Sequence, residues 1–423
     1  MFCPDIHHPC RNNGHEVKSA DMKIAMFTDS YFPRINGISV SVHSYAEEFS
    51  KIGHEVCIVC LEYANGQQKS TFFDEMENDL KLPFKIIRVP SVTPVFSKED
   101  RMIRLDKWRM LKKNMDAFKP DIVHINGDWS IGYFGAIYCI RRHIPFVYTF
   151  HTLWEDYLAN YVMFFPSRGL KKIGRDVTRF YLKRAALIIA PTERIAEIAK
   201  SYGATANIRI IPTGIPNSKL EFSPEKSDFV CTKVFEKFPS LKGKRILLFV
   251  GRIAKEKNPA FLYGVLKKVQ QEFKDTALLM IGGGPYLDEL QELAEKQGVA
   301  DSVFFTGYIH GNDLIYFYRL ASVFVFPSKT ETQGLVTAEA MLAGLPVVAI
   351  GEMGTVDVMQ GDNGGFMVKD DEDEFAEKVS LLLRDDALHA QKSQEALAWG
   401  SQWKISSLAQ NILECYREVN PNI

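Results

Sequence analysis

Short runs of β-branched and aromatic residues alternate along the chain with longer stretches in which apolar side chains recur every three or four positions. A short apolar run bounded by Gly, Pro, Asn or Ser reads as a strand buried on both faces. The helical stretch that follows it reads as the crossover returning the next parallel strand to the same sheet. The pattern occurs twice. The first series predicts strands at Lys23–Thr28, Glu55–Cys60, Lys85–Pro90, Asp121–Asn126, Pro145–Phe150, Leu187–Pro191 and Ile208–Pro212. The second predicts Arg245–Gly251, Ala277–Gly283, Ser302–Gly307, Val323–Ser328, Pro346–Ile350 and Gly365–Val368. Between them 213–244, rich in Pro, Ser and Lys, is expected to connect two units, and 401–419 returns to helical spacing and is expected to pack back on the first. The expected architecture is α/β, with two Rossmann-like domains of parallel sheet facing a cleft: 22–212 with the helix at 401–419, and 245–400, preceded by an extension at 1–21.

Length and composition agree with that division. A chain of 423 residues is long for one core, and 46% hydrophobic with 24% charged residues is ordinary for a globular enzyme. Apolar runs such as Ile246 to Val250 and Leu345 to Ile350 fall far short of the roughly 20 residues a membrane-spanning helix needs. Residues 1–21 are polar and lack the apolar core of a signal peptide, so a cytoplasmic protein is expected. Cys3, His7, His8 and Cys10 match no standard zinc spacing, and no metal site is expected. Cys57 and Cys60 have the spacing of a redox pair but lie within an apolar strand pattern, where buried inert thiols are the commoner reading.

Charge is distributed unevenly. The first 210 residues hold 29 basic and 23 acidic side chains, leaving 22 and 29 for the remainder. Arg168, Lys171, Lys172, Arg175, Arg179, Lys183 and Arg184 are opposed in their span only by Asp176. Arg101, Arg104, Lys107, Arg109, Lys112 and Lys113 are interleaved with apolar residues. Two readings stay open: solvated helix faces, or a dock for an anionic membrane surface worth about 1 kcal/mol per basic residue. On the second reading Arg168, Lys171, Lys172, Arg175, Arg179, Lys112 and Lys113 make the contact.

In open parallel sheets ligands bind beyond the carboxyl ends of the strands, so chemistry is sought just after each predicted strand. After the first, Asn36-Gly37 marks a turn into a helix whose free amides suit an anion. After the fifth comes His151, within Thr149-Phe150-His151-Thr152-Leu153-Trp154-Glu155-Asp156-Tyr157, able to hydrogen-bond a sugar hydroxyl or to be a satisfied structural histidine. Gly251-Arg252 with Lys257 places two cations near one helix start, suited to a diphosphate and to the charge that develops as it leaves. Gly283, Tyr308 and Ile309 follow the next two strands and could admit a nucleobase. The densest signal runs from Pro327 to Gly344. Thr332 is placed to cap a helix and Gly344 to close it, and the amides of Gln333, Gly334 and Leu335 point outward. Glu331 lies before that helix and Glu339 within its apolar sequence, about 12 Å apart at helical rise, far enough to hold two ends of an extended ligand.

Together these residues resemble glycosyltransferase family 4, whose members have the two-Rossmann GT-B fold. The resemblance runs from Met22 to the C-terminus, and its most specific part is Glu331-x7-Glu339 with Arg252 and Lys257. It implies a retaining, metal-independent hexosyltransferase without a cofactor, using a nucleotide sugar. Glu331 would hold the donor sugar, Glu339 the ribose and Arg252 and Lys257 the diphosphate, with His151 near the reacting carbon. The motifs around Asp29 to Ile38 and Phe150 to Tyr157 look most like diacylglycerol glucosyltransferases, which implies UDP-glucose, a lipid acceptor and peripheral association with the inner face of the cell membrane, and no nucleic-acid partner. Gln333 stands where relatives commonly carry Phe. Phosphatidylinositol, a soluble sugar or malate as acceptor, and GDP-mannose as donor, remain alternatives. A dinucleotide oxidoreductase would need Gly-x-Gly-x-x-Gly after a domain's first strand, and neither domain has it. A scaffold with a decayed site would not be expected to keep Arg252, Lys257, Glu331 and Glu339 together.

Overall fold

In a computed structural model, the structure describes residues 22–34, 37–63, 82–94, 101–151, 167–309, 311–331 and 333–423, the side chains of 167–171 and 311 apart. The expectations for 1–21, Asn36, Thr152 to Tyr157, His310, Thr332 and the side chains of Arg168 and Lys171 lie outside the described residues.

Two parallel sheets form. The strands of the first are β1 (Lys23–Thr28), β2 (Glu55–Leu61), β3 (Lys85–Val89), β6 (Ile122–Ile125), β7 (Phe146–Thr149), β8 (Leu187–Ala190) and β9 (Asn207–Ile210), while β4 (Ser91–Val92) and β5 (Met102–Ile103) pair antiparallel beside it. The second sheet holds β10 (Arg245–Val250), β11 (Thr276–Ile281), β12 (Val303–Gly307), β13 (Val323–Phe326), β14 (Val347–Ile350) and β15 (Gly365–Val368). Their orders are 3-2-1-6-7-8-9 and 12-11-10-13-14-15. The chain therefore reverses winding between β1 and β6 and again between β10 and β13. Each reversal opens a crevice at the strands' carboxyl ends.

Alternate residues of β1 enter different cores. Ala25 and Phe27 pack on one face with Cys57 and Val59, whereas Ile24 and Met26 pack on the other with Ile58 and Cys60. That second face is covered by the helices Gly37–Lys51 and Ile405–Val419, which supply Val42, Phe49, Leu408, Ile412 and Tyr416. Cys57 and Cys60 are buried, and burial pushes Cys57 up to about 12. The stretch 213–244 is more than a tether. Ser223 caps a helix at Pro224–Lys237 by accepting from the amide of Lys226, and Val230, Val234 and Leu241 enter the core of the second sheet. The second crossing between the sheets runs alongside the first, where Ile215 bridges to Lys404.

Candidate functional site

At the second reversal β10 and β13 lie side by side, floored by stacked Phe249, Phe326 and Phe324 with centroids 6.0 and 5.8 Å apart. Beyond β10, Arg252 is exposed, and a 3-10 turn at Lys255–Lys257 ends at Asn258 in the left-handed region. That turn lays Lys257 against Glu331, Nζ to Oε2 2.8 Å, with the side chains 19% and 17% exposed. The other oxygen of Glu331 accepts from the amides of Gln333 at 3.4 Å and Gly334 at 3.3 Å. Burial pulls this carboxyl upward, and Lys257 with the two amides more than offsets it, leaving Glu331 below the ordinary 4.5.

The helix after Glu331 begins at Gly334, not at a side-chain cap. Gly334 has φ +66°, and a Cβ there would lie 2.7 Å from both the Gly354 carbonyl and Val358 Cγ2, so only glycine fits. The helix Leu335–Leu342 is buried from Thr337 onward, which carries Glu339 inside, 8% exposed. Both of its oxygens have partners: Lys219 Nζ at 2.6 Å and the hydroxyl of Tyr318 at 3.2 Å. A buried carboxylate needs such partners. The motif thus consists of two Glu–Lys pairs, one ahead of the short helix and one within it.

The neighbouring loops are tied to this centre. Gly283 accepts from the amide of Ile253 at 3.0 Å and from the Tyr308 hydroxyl at 2.9 Å, and a Cβ on Gly283 would meet the Tyr308 ring at 2.7 Å. Tyr308 is 60% exposed, whereas Ile309 packs on the core. Gln333 faces the first sheet, its Oε1 accepting from the Thr213 amide at 3.4 Å.

On the first sheet, His151 follows β7 with Nε2 3.5 Å from Asn126 Oδ1, and burial lowers it to about 4, so it is uncharged at neutral pH. Beneath it His124 is held between Tyr416 at 2.7 Å and Thr149 at 2.6 Å, lowered to about 3 by burial first and then by His151. Gly37 begins its helix with its position open to solvent. Asp29, one residue past β1, caps the helix Ser130–Arg142 by accepting from Trp129 N at 2.9 Å, Ile131 N at 2.8 Å and Ser130 Oγ at 3.1 Å.

The basic clusters divide. Lys172 and Lys113 are exposed, and Lys112 lies 3.7 Å from Asp116. Arg175 stacks over Tyr202, and Arg179 bonds the Tyr202 carbonyl at 3.2 Å and Asp176 at 3.4 Å, so both turn partly toward the fold. Arg101, expected among solvated charges, is buried over the Tyr63 ring. The antiparallel β4–β5 pair carries its neighbourhood inward.

Sequence reasoning missed Lys219 and Tyr318. Lys219 is 120 residues from Glu339, on a 3-10 turn at Asn217–Leu220, and no local periodicity signals such a pairing.

Two family models match the chain: residues 35–219 match "Glycosyltransferase Family 4" and residues 232–399 match "Glycosyl transferases group 1". An alpha-monoglucosyldiacylglycerol synthase of Streptococcus pneumoniae is 31% identical over 78% of this chain and 71% of its own length. One of Acholeplasma laidlawii is 28% identical over 83% and 86%. In fold the chain is similar to Anabaena Alr3699/HepE solved in complex with UDP, with TM-score 0.70 and 17% identity over 94% of this chain and 100% of that one.

Proposed function

The chain belongs to glycosyltransferase family 4, a glycosyltransferase of GT-B fold, and on that footing we propose that it moves glucose from UDP-glucose to 1,2-diacylglycerol with retention of configuration. The likeness to two glucosyldiacylglycerol synthases over most of their lengths carries the choice of donor and acceptor.

The geometry fits a diphosphate leaving group. An ammonium has three donors, and Glu331 engages one of those on Lys257, which leaves two for phosphate oxygens. Arg252 lies five positions away at the end of β10, and the first amides of Leu335–Leu342 add positive potential. Fixed positive charge aimed at a departing anion is an effective form of transition-state stabilisation. These cations and amides take the part a metal ion would otherwise take. Glu331 accepts hydroxyls of the hexose and Glu339 those of the ribose, since carboxylate oxygens accept further bonds beyond those to Lys257, Lys219 and Tyr318. Gly283 and Tyr308 border the base. Neutral His151 meets the sugar from the first sheet. The bond from C1 to the diphosphate oxygen breaks as the bond to the acceptor oxygen forms on the same face, and the acceptor proton passes to the departing diphosphate.

Membrane contact is assigned to the first domain, through the exposed Lys172, Lys112 and Lys113 with Arg175 and Arg179 behind them. Among the described residues no helix is long and apolar enough to cross a membrane.

The test is nucleotide release from UDP- and GDP-sugars with and without vesicles of diacylglycerol and anionic phospholipid. Release from UDP-glucose that requires both lipids and yields a glucolipid is expected. Turnover with a soluble acceptor alone, or from GDP-mannose alone, would overturn the assignment.

A further inference from the structure

The first domain carries an apolar pocket that the donor chemistry does not use. It has a volume of about 590 Å³ and lies between the start of the helix Ser130–Arg142, the β5 segment and the helix Ser167–Leu182. Ile103, Leu105, Tyr133, Phe134, Ile173 and Val177 form much of its wall. Several of its polar lining groups are already engaged: Ser130 donates to Asp29 and accepts from the amide of Ile103, Asp176 accepts from Arg179, and the Tyr181 hydroxyl donates to the Trp129 carbonyl. A ligand there is offered shape and apolar surface, in the size range of pockets that enclose small organic groups.

The rim argues for what enters. Leu105 is 77% exposed, Ile173 55% and Tyr133 46%, three large apolar side chains around one opening, whereas such exposure is ordinarily scattered singly. Cations stand beside them: Lys172 precedes Ile173, and next to Leu105 both Arg104 and Lys107 pair with Asp106, at 3.1 and 2.8 Å, which leaves an excess of positive charge there. Exposed apolar tips beside a positive excess match the boundary between acyl chains and anionic headgroups.

The pocket is also joined to the cleft. Trp129, on its wall, donates its amide to Asp29 just past β1, at the first sheet's reversal. Tyr181, on the same wall, stacks on Tyr148 at 4.9 Å, whose hydroxyl donates to Asp128 at 2.6 Å. A chain seated in the pocket would have its polar end beside the carboxyl ends of β1 and β6.

We propose that this pocket takes one acyl chain of the acceptor lipid, drawn part-way out of the bilayer, so that the glycerol hydroxyl is presented to the sugar. The inference rests on the lipid-acceptor reading above and adds to it a binding site and a chain-length preference.

The test uses Trp129 as reporter. Diacylglycerol with brominated acyl chains, in dodecyl maltoside micelles, is expected to quench tryptophan fluorescence beyond the unbrominated lipid, and Trp129→Phe to remove at least about half of that excess. Val177→Phe, which narrows the pocket, and Leu105→Ser, a surface change with little risk to folding, should each raise KM for a long-chain diacylglycerol about tenfold, with UDP binding unchanged and dioctanoylglycerol affected less. Transfer to diacylglycerol with no quenching through Trp129, or with chain-length dependence intact in Val177→Phe, would overturn the pocket and leave the proposed function standing. Transfer only to a soluble sugar would overturn both.

Discussion

Removing the Lys257 ammonium separates two roles of the ion pair at the head of the apolar helix. In Lys257→Met the carboxylate of Glu331, 17% exposed, loses its ammonium partner and keeps the amide contacts of 3.3 and 3.4 Å. A hydrogen bond to a charged group contributes about 1.5–3 kcal/mol, and stranding the remaining partner forfeits it. For a domain of this size that lowers Tm by roughly 3 to 12 °C. Loss of a donor aimed at the leaving group should lower kcat by about 10² to 10³-fold, some 2.7–4 kcal/mol. The double variant Lys257→Met, Glu331→Gln tells the roles apart, because it removes the stranded charge. Its Tm should recover most of the loss while its activity stays low. The pH dependence has a fixed sign. Glu331 sits below its ordinary 4.5 in the folded chain, so its contribution is present above that value and fades as pH falls through the folded one. The Tm gap between wild type and Lys257→Met should therefore narrow below about pH 4.5. Calorimetry with steady-state nucleotide release measures both quantities. Wild-type turnover in Lys257→Met, or activity restored in the double variant, would refute the reasoning.

Lys219→Ala should raise KM for the nucleotide sugar several-fold with a smaller change in kcat, because Glu339 then loses its 2.6 Å partner; an unchanged KM would remove Lys219 from the site. Gly334→Ala forces a Cβ to within 2.7 Å of a carbonyl at φ +66° and should cost at least about 1 kcal/mol by urea titration. His151, His124 and His43 are lowered by burial to about 4, 3 and 4, so each should be uncharged at pH 6 by NMR, and titration of all three near 6.5 would contradict the packing. Because unfolded histidine protonates near 6.5 and the folded rings do not, stability should fall as pH drops from 6.5 toward 4, by up to about 1.4 kcal/mol per pH unit per ring.

The strands were legible because burial on both faces writes itself locally: β1 and β15 have the predicted ends, and the other predicted strands are met within a few residues. The β4–β5 pair was not legible, since two-residue strands carry no period. The helix Pro224–Lys237 carried readable start signals in Ser223 and Pro224, but the surrounding Lys and Ser suggested a linker. At the site, local placement was readable from glycines and strand ends: Glu331, Glu339 and Lys257 fall on or beside the helix and turn the spacing implied. Partnership was not. Lys219 with Glu339 and Tyr416 with His124 join positions 120 and 292 residues apart, which only the folded chain brings together. Arg101 looked like its basic neighbours, and nothing nearby in sequence announces Tyr63 as its cover.

The helix Ile405–Val419 completes a face of the first core, through Leu408, Ile412, Tyr416 and the bond from Asn420 to the Asp121 carbonyl. It is also translated after every strand of the second sheet. On the ribosome the first domain can therefore collapse early yet cannot close, while the second emerges whole and can finish folding before it. A nascent chain halted at residue 400 would expose the groove where Ile24, Met26 and Ile58 wait for that helix, and would offer it to chaperones or to neighbouring chains.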